Sequence, residues 1–209
     1  NMLEILNQKH FLISLIMFTK IYSELSNHNL KSISEILNNG GLMIYPTETI
    51  WAIGCISTNP KSVDKIYKLK KRKKDAPFIN IIDDFSKIDK YVDPIDEELF
   101  NLIKENKSDH TIIYPNCKKP YYYLANNNNE IAFRVTPLSN LKEIMEMIDK
   151  PLISTSANIS GEPFAKSFDK ISSDLLNSVD VILNFEVEST GNPSSIIKIN
   201  NGQIEYLRR

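Results

Sequence analysis

Cysteine is scarce in this sequence of 209 residues. Cys55 and Cys117 are the two that occur, and neither stands in a CxxC pair or at the Cys/His spacing of a zinc ligand set. A structural zinc site needs four such ligands and a disulfide framework needs paired cysteines at short spacing, so neither class is supported. Such sparse cysteine usage is typical of a reducing compartment, and we expect a cytoplasmic protein.

A long apolar run is also missing. The N-terminal run FLISLIMF, Phe11 to Phe18, is much shorter than the roughly 20 residues that a membrane-spanning helix needs. No small-residue cleavage site follows it, so we expect neither a signal peptide nor membrane attachment. We predict that residues 1–16 are an N-terminal extension and that residues 17–209 form one domain. The alternative is that the N-terminal segment is a packed helix.

The chain has little net charge. Its formal value is −1, so no overall field steers the protein toward an anionic partner. Hydrophobic residues make up 42% and charged residues 24% of the sequence, which is ordinary for a globular domain. One basic cluster stands out, because six Lys or Arg residues fall within Lys68–Lys74. Any attraction to phosphate must therefore come from local clustering of basic residues such as this one.

The phosphate-binding motifs of the common nucleotide folds are absent as well. The sequence has no GxxxxGK[ST] loop and no GxGxxG after a strand, so neither a P-loop nucleotidase nor a dinucleotide oxidoreductase is supported. The histidines His10, His28 and His110 have no GxSxG serine and no HExxH spacing, and we assign them no catalytic role.

What is present is an alternation of helical and strand patterns. Apolar periodicity and capping residues predict helices over 28–39, from Asn59-Pro60 toward Lys70, from Asp93-Pro94 onward, and over 138–148. Strands are predicted from Met17 and over 42–45, 78–82, 111–115, 131–135, 151–154 and 179–185, followed by a hairpin around Asn200–Gly202. The pattern predicts a single α/β domain with a mixed sheet and flanking helices.

Four polar segments each adjoin a predicted strand: YPTETIWAIG (45–54), KLKKRKKDAPF (68–78), STSANISG (154–161) and GNPSSII (191–197). Ligand crevices in open α/β sheets form at strand ends, so we expect the four segments to converge on one site. Taken alone, each has an ordinary structural interpretation. STSANISG fits a helix N-cap as well as a ligand site, and the basic cluster fits a solvated helix end.

In this order, GGLMIYPTETIWAIG, LKKRKKDAPFINI, AFRVT, ISTSANISGEP and NPSSII resemble the YrdC-like family. These are the threonylcarbamoyl-AMP synthases, which start the formation of N6-threonylcarbamoyladenosine (t6A) on tRNA. The resemblance runs from about Met17 to Arg209. It implies a single twisted α/β domain, of the short single-domain type, whose concave positive face binds ATP and L-threonine.

The resemblance also implies roles for individual residues. It places L-threonine and its carbamate against Thr49, Arg134 and Ser154. It places ATP and its phosphates against Lys70, Arg72, Thr111, Ser156, Asn158, Ser194 and Arg208. Lys70 and Arg72 lie two positions apart, so they can meet one phosphate only if the helix has already ended there.

The implied chemistry needs no protein nucleophile. L-threonine captures CO2 or bicarbonate, and the carbamate oxygen attacks the α-phosphorus of ATP as pyrophosphate leaves. Mg²⁺ is expected on the triphosphate, without a metal-binding residue of the protein. Members of the short type rely on partner proteins for transfer to tRNA, so such partners are expected here too.

Three positions depart from the family pattern. Many relatives carry WPGPxT where this chain has NKSDHT, so Thr111 is the residue kept there. Ala76 stands where relatives often have Lys or Asn, and Ile81 stands where some have histidine. These departures favour, as an alternative, a non-catalytic member of the family.

The basic cluster suggests a second alternative, an RNA-binding protein with affinity for tRNA or double-stranded RNA. No RNP-like aromatic motif accompanies the cluster, and the net charge is not basic, which weighs against this alternative. A third alternative, O-carbamoyl transfer as in hydrogenase maturation proteins, would need zinc-finger and acylphosphatase segments beside this domain, and the sequence has none.

Overall fold

Ten strands and five α-helices are described in this computed structural model, which covers residues 19–74, 76–95, 97–106, 110–200 and 203–208. The strands are β1 (Lys20–Tyr22), β2 (Met43–Tyr45), β3 (Ala52–Gly54), β4 (Ile79–Ile82), β5 (His110–Tyr114), β6 (Ile131–Val135), β7 (Leu152–Ser156), β8 (Val181–Leu183), β9 (Ser195–Asn200) and β10 (Gln203–Arg208). The helices are α1 (Asn27–Asn38), α2 (Pro60–Leu69), α3 (Glu97–Asn106), α4 (Ser139–Ile148) and α5 (Ser173–Leu176).

The described strands form one open, twisted sheet in the order β1-β8-β2-β3-β7-β4-β6-β5-β9-β10. The pairs β1/β8, β2/β8, β4/β6 and β5/β9 are parallel, whereas β2/β3, β3/β7, β4/β7, β5/β6 and β9/β10 are antiparallel. The sheet is therefore mixed, and the α/β class predicted from the alternating pattern is confirmed.

Local signals in the sequence account for where the first two helices begin. The Ser26 side chain caps α1 by accepting a hydrogen bond from the amide of Asn29, and Asn59 caps α2 by accepting one from the amide of Ser62. Pro60 occupies the first turn of α2, where its missing N–H costs nothing. Both caps satisfy amides that have no partner inside their helix.

The helices divide between the two faces of the sheet. Apolar residues of α1 and α4 share one buried cluster with Met43, Tyr45 and Ile81, while apolar residues of α2 and α3 share the other with Ile44, Ile53 and Ile153. Neighbouring residues of β2 thus face opposite layers, as the two-residue period of a strand requires. Both faces of the central strands are covered by helices.

The helix α2 ends in a Schellman motif built on a lysine. The amide of Arg72 donates to the carbonyl of Tyr67, and the amide of Lys71 donates to the carbonyl of Lys68. Lys71 has φ +52°, the left-handed conformation that glycine usually supplies at this position. The helix therefore ends before Arg72. The sequence spacing required such an end if Lys70 and Arg72, two positions apart, were to meet one phosphate.

Strand β3 was not expected from the sequence, and its pairing depends on Gly54. A Cβ atom at Gly54 would lie 2.0 Å from the carbonyl oxygen of Ile153, so the backbones of β3 and β7 approach too closely for any other residue. The sequence pattern hid this strand because its three residues lie inside a segment that reads as polar.

Other boundaries differ by a few residues. Strand β7 continues to Ser156, two residues beyond the predicted end at Ser154, and α3 begins at Glu97, later than Asp93-Pro94 suggested. The first strand is observed as β1. The predicted extension 1–16 and the turn residues 201–202 lie outside the described residues.

Candidate ligand site

A cavity of about 320 Å³ opens at the ends of several central strands. This volume is in the range of small-molecule sites. Its lining comes from all four polar segments that the sequence singled out, together with β4 and β6. The expectation that these segments converge is confirmed.

Strand register places the sheet-borne residues of the cavity on one face. Ser154 pairs with Ile79, and Ser156 pairs with Ala52. Arg134 pairs with Ile81, two residues after Ile79. Paired residues point to the same side of a sheet, and so do residues two apart. The hydroxyls of β7 and the guanidinium of Arg134 therefore belong to a single surface whose floor is aliphatic.

The segment after β2 is shaped by Thr47. Its hydroxyl donates to the carbonyl of Ile50 at 2.7 Å and accepts the amides of Thr49 and Ile50, both at 3.1 Å. Such a local hydroxyl turn fixes the backbone without regular secondary structure. It positions Glu48 and Thr49 on the wall of the cavity.

Arg134 is held by an ion pair inside the cavity. Its Nε lies 2.7 Å from Oε1 of Glu48, and the two side chains are 10% and 20% exposed. Partial burial makes this pair less screened by solvent than a surface pair. The guanidinium is consequently fixed in orientation before any ligand arrives.

Arg72 reaches the cavity from the segment that follows α2. Its Nε donates to the carbonyl of Ala76 at 2.9 Å and an Nη donates to that of Pro77 at 3.1 Å. The guanidinium also lies 5.0 Å from the ring centroid of Phe78, a cation–π distance. These contacts hold Arg72 beside the sheet and off the solvated end of the helix.

Arg208 completes the cationic lining from the last strand. Its Nε donates to the carbonyl of Ser194 at 2.8 Å, and the Ser194 hydroxyl lies 3.0 Å from that of Thr111. Burial, and then the nearby charge of Arg134, lower the pKa of Arg208. The cavity therefore gathers the positive charges of three arginines from distant parts of the chain.

Lys70 does not reach the cavity wall. Its Nζ donates to the carbonyl oxygens of Ser156 and Asn158 and to Oδ1 of Asn158, and the residue is 1% exposed. Burial, and then the charge of Arg72, lower the pKa of Lys70 to about 8. The lysine underlies the 156–158 segment and fixes its backbone.

Asn158 is part of the same internal network. Its Oδ1 accepts a hydrogen bond from the Ser156 hydroxyl at 2.6 Å, and its Nδ2 donates to the carbonyl of Glu162 at 2.5 Å. The small polar side chains of STSANISG thus serve two purposes. Ser154 and Ser156 line the cavity, while Asn158 ties the segment together.

Seven of the ten residues that the resemblance selected line the cavity: Thr49, Arg72, Arg134, Ser154, Ser156, Ser194 and Arg208. Lys70, Thr111 and Asn158 lie behind them and contact residues of the wall. Ligand contacts by all ten stay predictions. Sequence reasoning gave no role to Glu48 or Phe164, which also line the cavity. Glu48 lies within the PTET motif, and its position next to Thr49 was the one feature of the sequence that could have indicated a place in the cavity.

The segment 189–190 closes one side of the cavity. The Ser189 hydroxyl donates to the carbonyl of Thr49, and the amide of Thr190 donates to the carbonyl of Glu48 at 3.0 Å. These bonds join the segment before β9 to the segment after β2. Residues 189–190 are therefore tied to the polar segment 45–54 despite their separation in sequence.

No group of three or more His, Cys, Asp or Glu side chains is arranged to hold a metal ion among the described residues. None of the helices in those same ranges is long and apolar enough to cross a bilayer.

Two sequence comparisons cover most of the chain. The family described as telomere recombination, which comprises Sua5, YciO and YrdC, matches residues 35–209. The threonylcarbamoyl-AMP synthase of Wigglesworthia glossinidia brevipalpis is 32% identical over 182 residues, covering 84% of this chain and 93% of that protein.

Solved structures share the fold. P. abyssi Sua5 complexed with L-threonine gives a TM-score of 0.81 at 23% identity, over 91% of this chain and 57% of that chain. E. coli YciO gives a TM-score of 0.76 at 20% identity, over 92% of this chain and 96% of that chain. This chain spans little more than half the length of Sua5, and at these identities the likeness is one of fold.

Proposed function

Because the chain belongs to the Sua5/YciO/YrdC family, we propose that it is a threonylcarbamoyl-AMP synthase of the nucleotidyltransferase type. The proposed reaction forms threonylcarbamoyl-AMP and pyrophosphate from L-threonine, CO2 or bicarbonate, and ATP. The product supplies the threonylcarbamoyl group for t6A in tRNA.

The observation that carries the proposal is the convergence of three arginines and three serine hydroxyls on one cavity. Arg72, Arg134 and Arg208 line it together with Ser154, Ser156 and Ser194. A triphosphate and an amino-acid carboxylate are both anionic, and guanidinium groups bind such oxygens with two parallel hydrogen bonds. Short hydroxyls, two of them on β7, add polar groups to the cavity with little loss of side-chain entropy.

Catalysis in this proposal rests on positioning and on charge. The carbamate formed from the threonine amine and CO2 is itself an anion, and it must approach the α-phosphorus of an anionic nucleotide. Fixed cations offset that repulsion and stabilise the charge that develops on the departing pyrophosphate. The arginines are already oriented, Arg134 by Glu48 and Arg208 by Ser194, so little reorganisation accompanies the reaction.

Mg²⁺ is proposed to enter with the triphosphate. The donor set fits this mode, because Glu48 is the one carboxylate among the described residues that line the cavity, and it is bonded to Arg134. The bound metal would neutralise phosphate charge and orient the leaving group. The serine hydroxyls Ser154, Ser156 and Ser194 are suited to bond the water molecules that such an ion retains.

Transfer to tRNA is proposed to require partner proteins, and the site of action is proposed to be the cytoplasm. The cavity supplies groups for a nucleotide and an amino acid, and the chain has no net positive charge that would hold a whole tRNA.

The test is pyrophosphate release by the purified chain with ATP, Mg²⁺, bicarbonate and L-threonine, and with each component omitted in turn. We expect release to fall to background without L-threonine or without bicarbonate. Arg134→Met should abolish it while Lys73→Ala, which changes a cation outside the cavity, should leave it within about twofold of the unchanged protein. Equal release without any amino acid would exclude the proposed reaction.

A further inference from the structure

Glu48 is an unexpected residue for a cavity that is to bind anions. It is the single carboxylate among the described residues of the lining, which otherwise presents three arginines and several hydroxyls. A negative side chain here repels phosphate and carboxylate groups of a ligand. Its presence therefore needs either a structural partner or a cationic ligand group.

One oxygen of the carboxylate has a structural partner. Oε1 accepts the hydrogen bond from Nε of Arg134 at 2.7 Å. Within the described part of the chain, no hydrogen bond to Oε2 is found. The Glu48 side chain is 20% exposed and lines the cavity, so the carboxylate is accessible to a ligand there.

The backbone of Glu48 is fixed from both sides. Its carbonyl accepts the amide of Thr190, and the turn built by Thr47 holds the neighbouring residue. The carboxylate is thus presented on a rigid segment, as a ligand-binding group requires. A carboxylate beside a guanidinium is complementary to a molecule that carries a cation and an anion one carbon apart.

An α-amino acid is such a molecule. We propose that Glu48 binds the α-ammonium group of the amino-acid substrate, while the adjacent Arg134 binds its α-carboxylate. This inference rests on the proposed function, because it takes L-threonine as the ligand. It gives Glu48 a specificity role, since the carboxylate favours ligands with an ammonium group and disfavours simple carboxylic acids.

The test compares two ligands on two proteins by calorimetric titration of the full chain. The ligands are L-threonine and 2,3-dihydroxybutanoate, in which a hydroxyl replaces the ammonium group. The unchanged protein should bind L-threonine at least tenfold more tightly. In Glu48→Gln, which keeps an oxygen acceptor for Arg134, affinity for L-threonine should fall about tenfold or more, while affinity for the hydroxy acid should stay equal or rise.

Glu188→Gln is the matched control, because it removes a carboxylate that is exposed on the nearby segment before β9. It should change neither affinity. If Glu48→Gln weakens both ligands equally, Glu48 only orients Arg134 and the inference is overturned. If Glu48→Gln fails to fold, Glu48→Asp replaces it: keeping the charge, it should keep the preference for L-threonine, and loss of that preference with a normal melting curve would again overturn the inference.

Failure of the inference is distinguishable from failure of the proposed function. A protein that releases pyrophosphate only with L-threonine, yet keeps its ligand preference in Glu48→Gln, retains the function and loses this role for Glu48. A protein that binds neither ligand and releases no pyrophosphate fails both.

Discussion

The ammonium group of Lys70 lies 2.6 Å from the carbonyl oxygen of Asn158, beneath the cavity wall. The same group donates to the Ser156 carbonyl and to the Asn158 side chain, and the amide of Ser160 donates back to the Lys70 carbonyl. Four hydrogen bonds therefore join Lys70 to the last residue of β7 and to the segment that follows it. This connection makes Lys70 a positioning residue for the hydroxyl of Ser156.

Replacing Lys70 should affect stability and nucleotide binding together. Lys70→Met removes the charged donor that three acceptors share, and a hydrogen bond to a charged group contributes about 1.5–3 kcal/mol. We expect the free energy of unfolding, measured in urea, to fall by about 2–4 kcal/mol and ATP affinity to fall with it. Lys71→Met, at an exposed neighbouring site, is the control. A Lys70→Met protein with unchanged stability but no ATP binding would instead assign Lys70 a direct phosphate contact.

The lowered pKa of Lys70 makes its contribution depend on pH. The group deprotonates near pH 8 in the folded protein and near its ordinary value of about 10.4 in the unfolded chain. Between these values the unfolded state binds more protons, so the stability contributed by this group rises with pH and is constant below about 8. We expect the difference in unfolding free energy between the unchanged protein and Lys70→Met to grow by about 1–2 kcal/mol from pH 7 to 9.5. A flat difference would contradict the lowered pKa.

Arg72 and Lys73 should differ sharply although they are neighbours. Arg72 lines the cavity and is held by two backbone carbonyls and by Phe78, whereas Lys73 is exposed. Arg72→Lys keeps the charge but loses the planar fork, so we expect pyrophosphate release to fall at least tenfold at saturating ATP. Lys73→Ala should stay within about twofold. If the two variants behaved alike, the basic cluster would be a solvated helix end, and RNA affinity should then be measured across a salt series.

Substitutions of Ser156 and Asn158 should have different effects, because Ser156 lines the cavity and Asn158 holds the segment together. Ser156→Ala removes a hydroxyl from the wall and should weaken ATP binding with a melting temperature within a few degrees of the original. Asn158→Ala removes contacts to Lys70, Ser156 and Glu162, so it should lower both binding and stability, the latter by about 1–3 kcal/mol. Calorimetry and thermal unfolding on both variants would test the division, and equal melting temperatures would contradict it.

Serine should replace L-threonine poorly but measurably. The cavity floor is aliphatic at Ile79 and Ile81, and a missing methyl group costs about 1–3 kcal/mol in such a pocket. We expect the kcat/KM for serine, from pyrophosphate release, to be about 10- to 200-fold below that for L-threonine. Ile81→Ala should bring the kcat/KM for serine closer to that for L-threonine. If serine released no pyrophosphate at all, the protein would distinguish serine from L-threonine by a polar contact and not by an apolar pocket for the methyl group.

The sequence was sufficient for the α/β class, the mixed sheet and the gathering of four polar segments, because caps, periodicity and strand ends are local signals. The phosphate contacts of Lys70 and Arg72 stay predictions, but nothing in the sequence indicated that Arg72 would lie on the cavity wall and Lys70 beneath it. The difference depends on backbone geometry and on the burial of one side chain.

The other failures also have physical causes. Strand β3 is three residues long and depends on the close approach of Gly54 to Ile153, a tertiary contact without a local signature. Glu48 received no role from the sequence, because its partner Arg134 lies 86 positions away. In both cases the deciding partner lies far away in the sequence.

The hydrogen bonds that join segment 189–190 to Glu48 and Thr49 also bear on how the protein is made. During synthesis the helices and strands up to β7 can emerge and pack before these bonds exist, and Ser194 and Arg208 follow later still. The cavity is therefore completed among the last long-range contacts, and such contacts are the slow ones in folding. A nascent chain that lacks β9 and β10 should have a core but no finished site, so we expect ATP to stabilise only chains that include this hairpin.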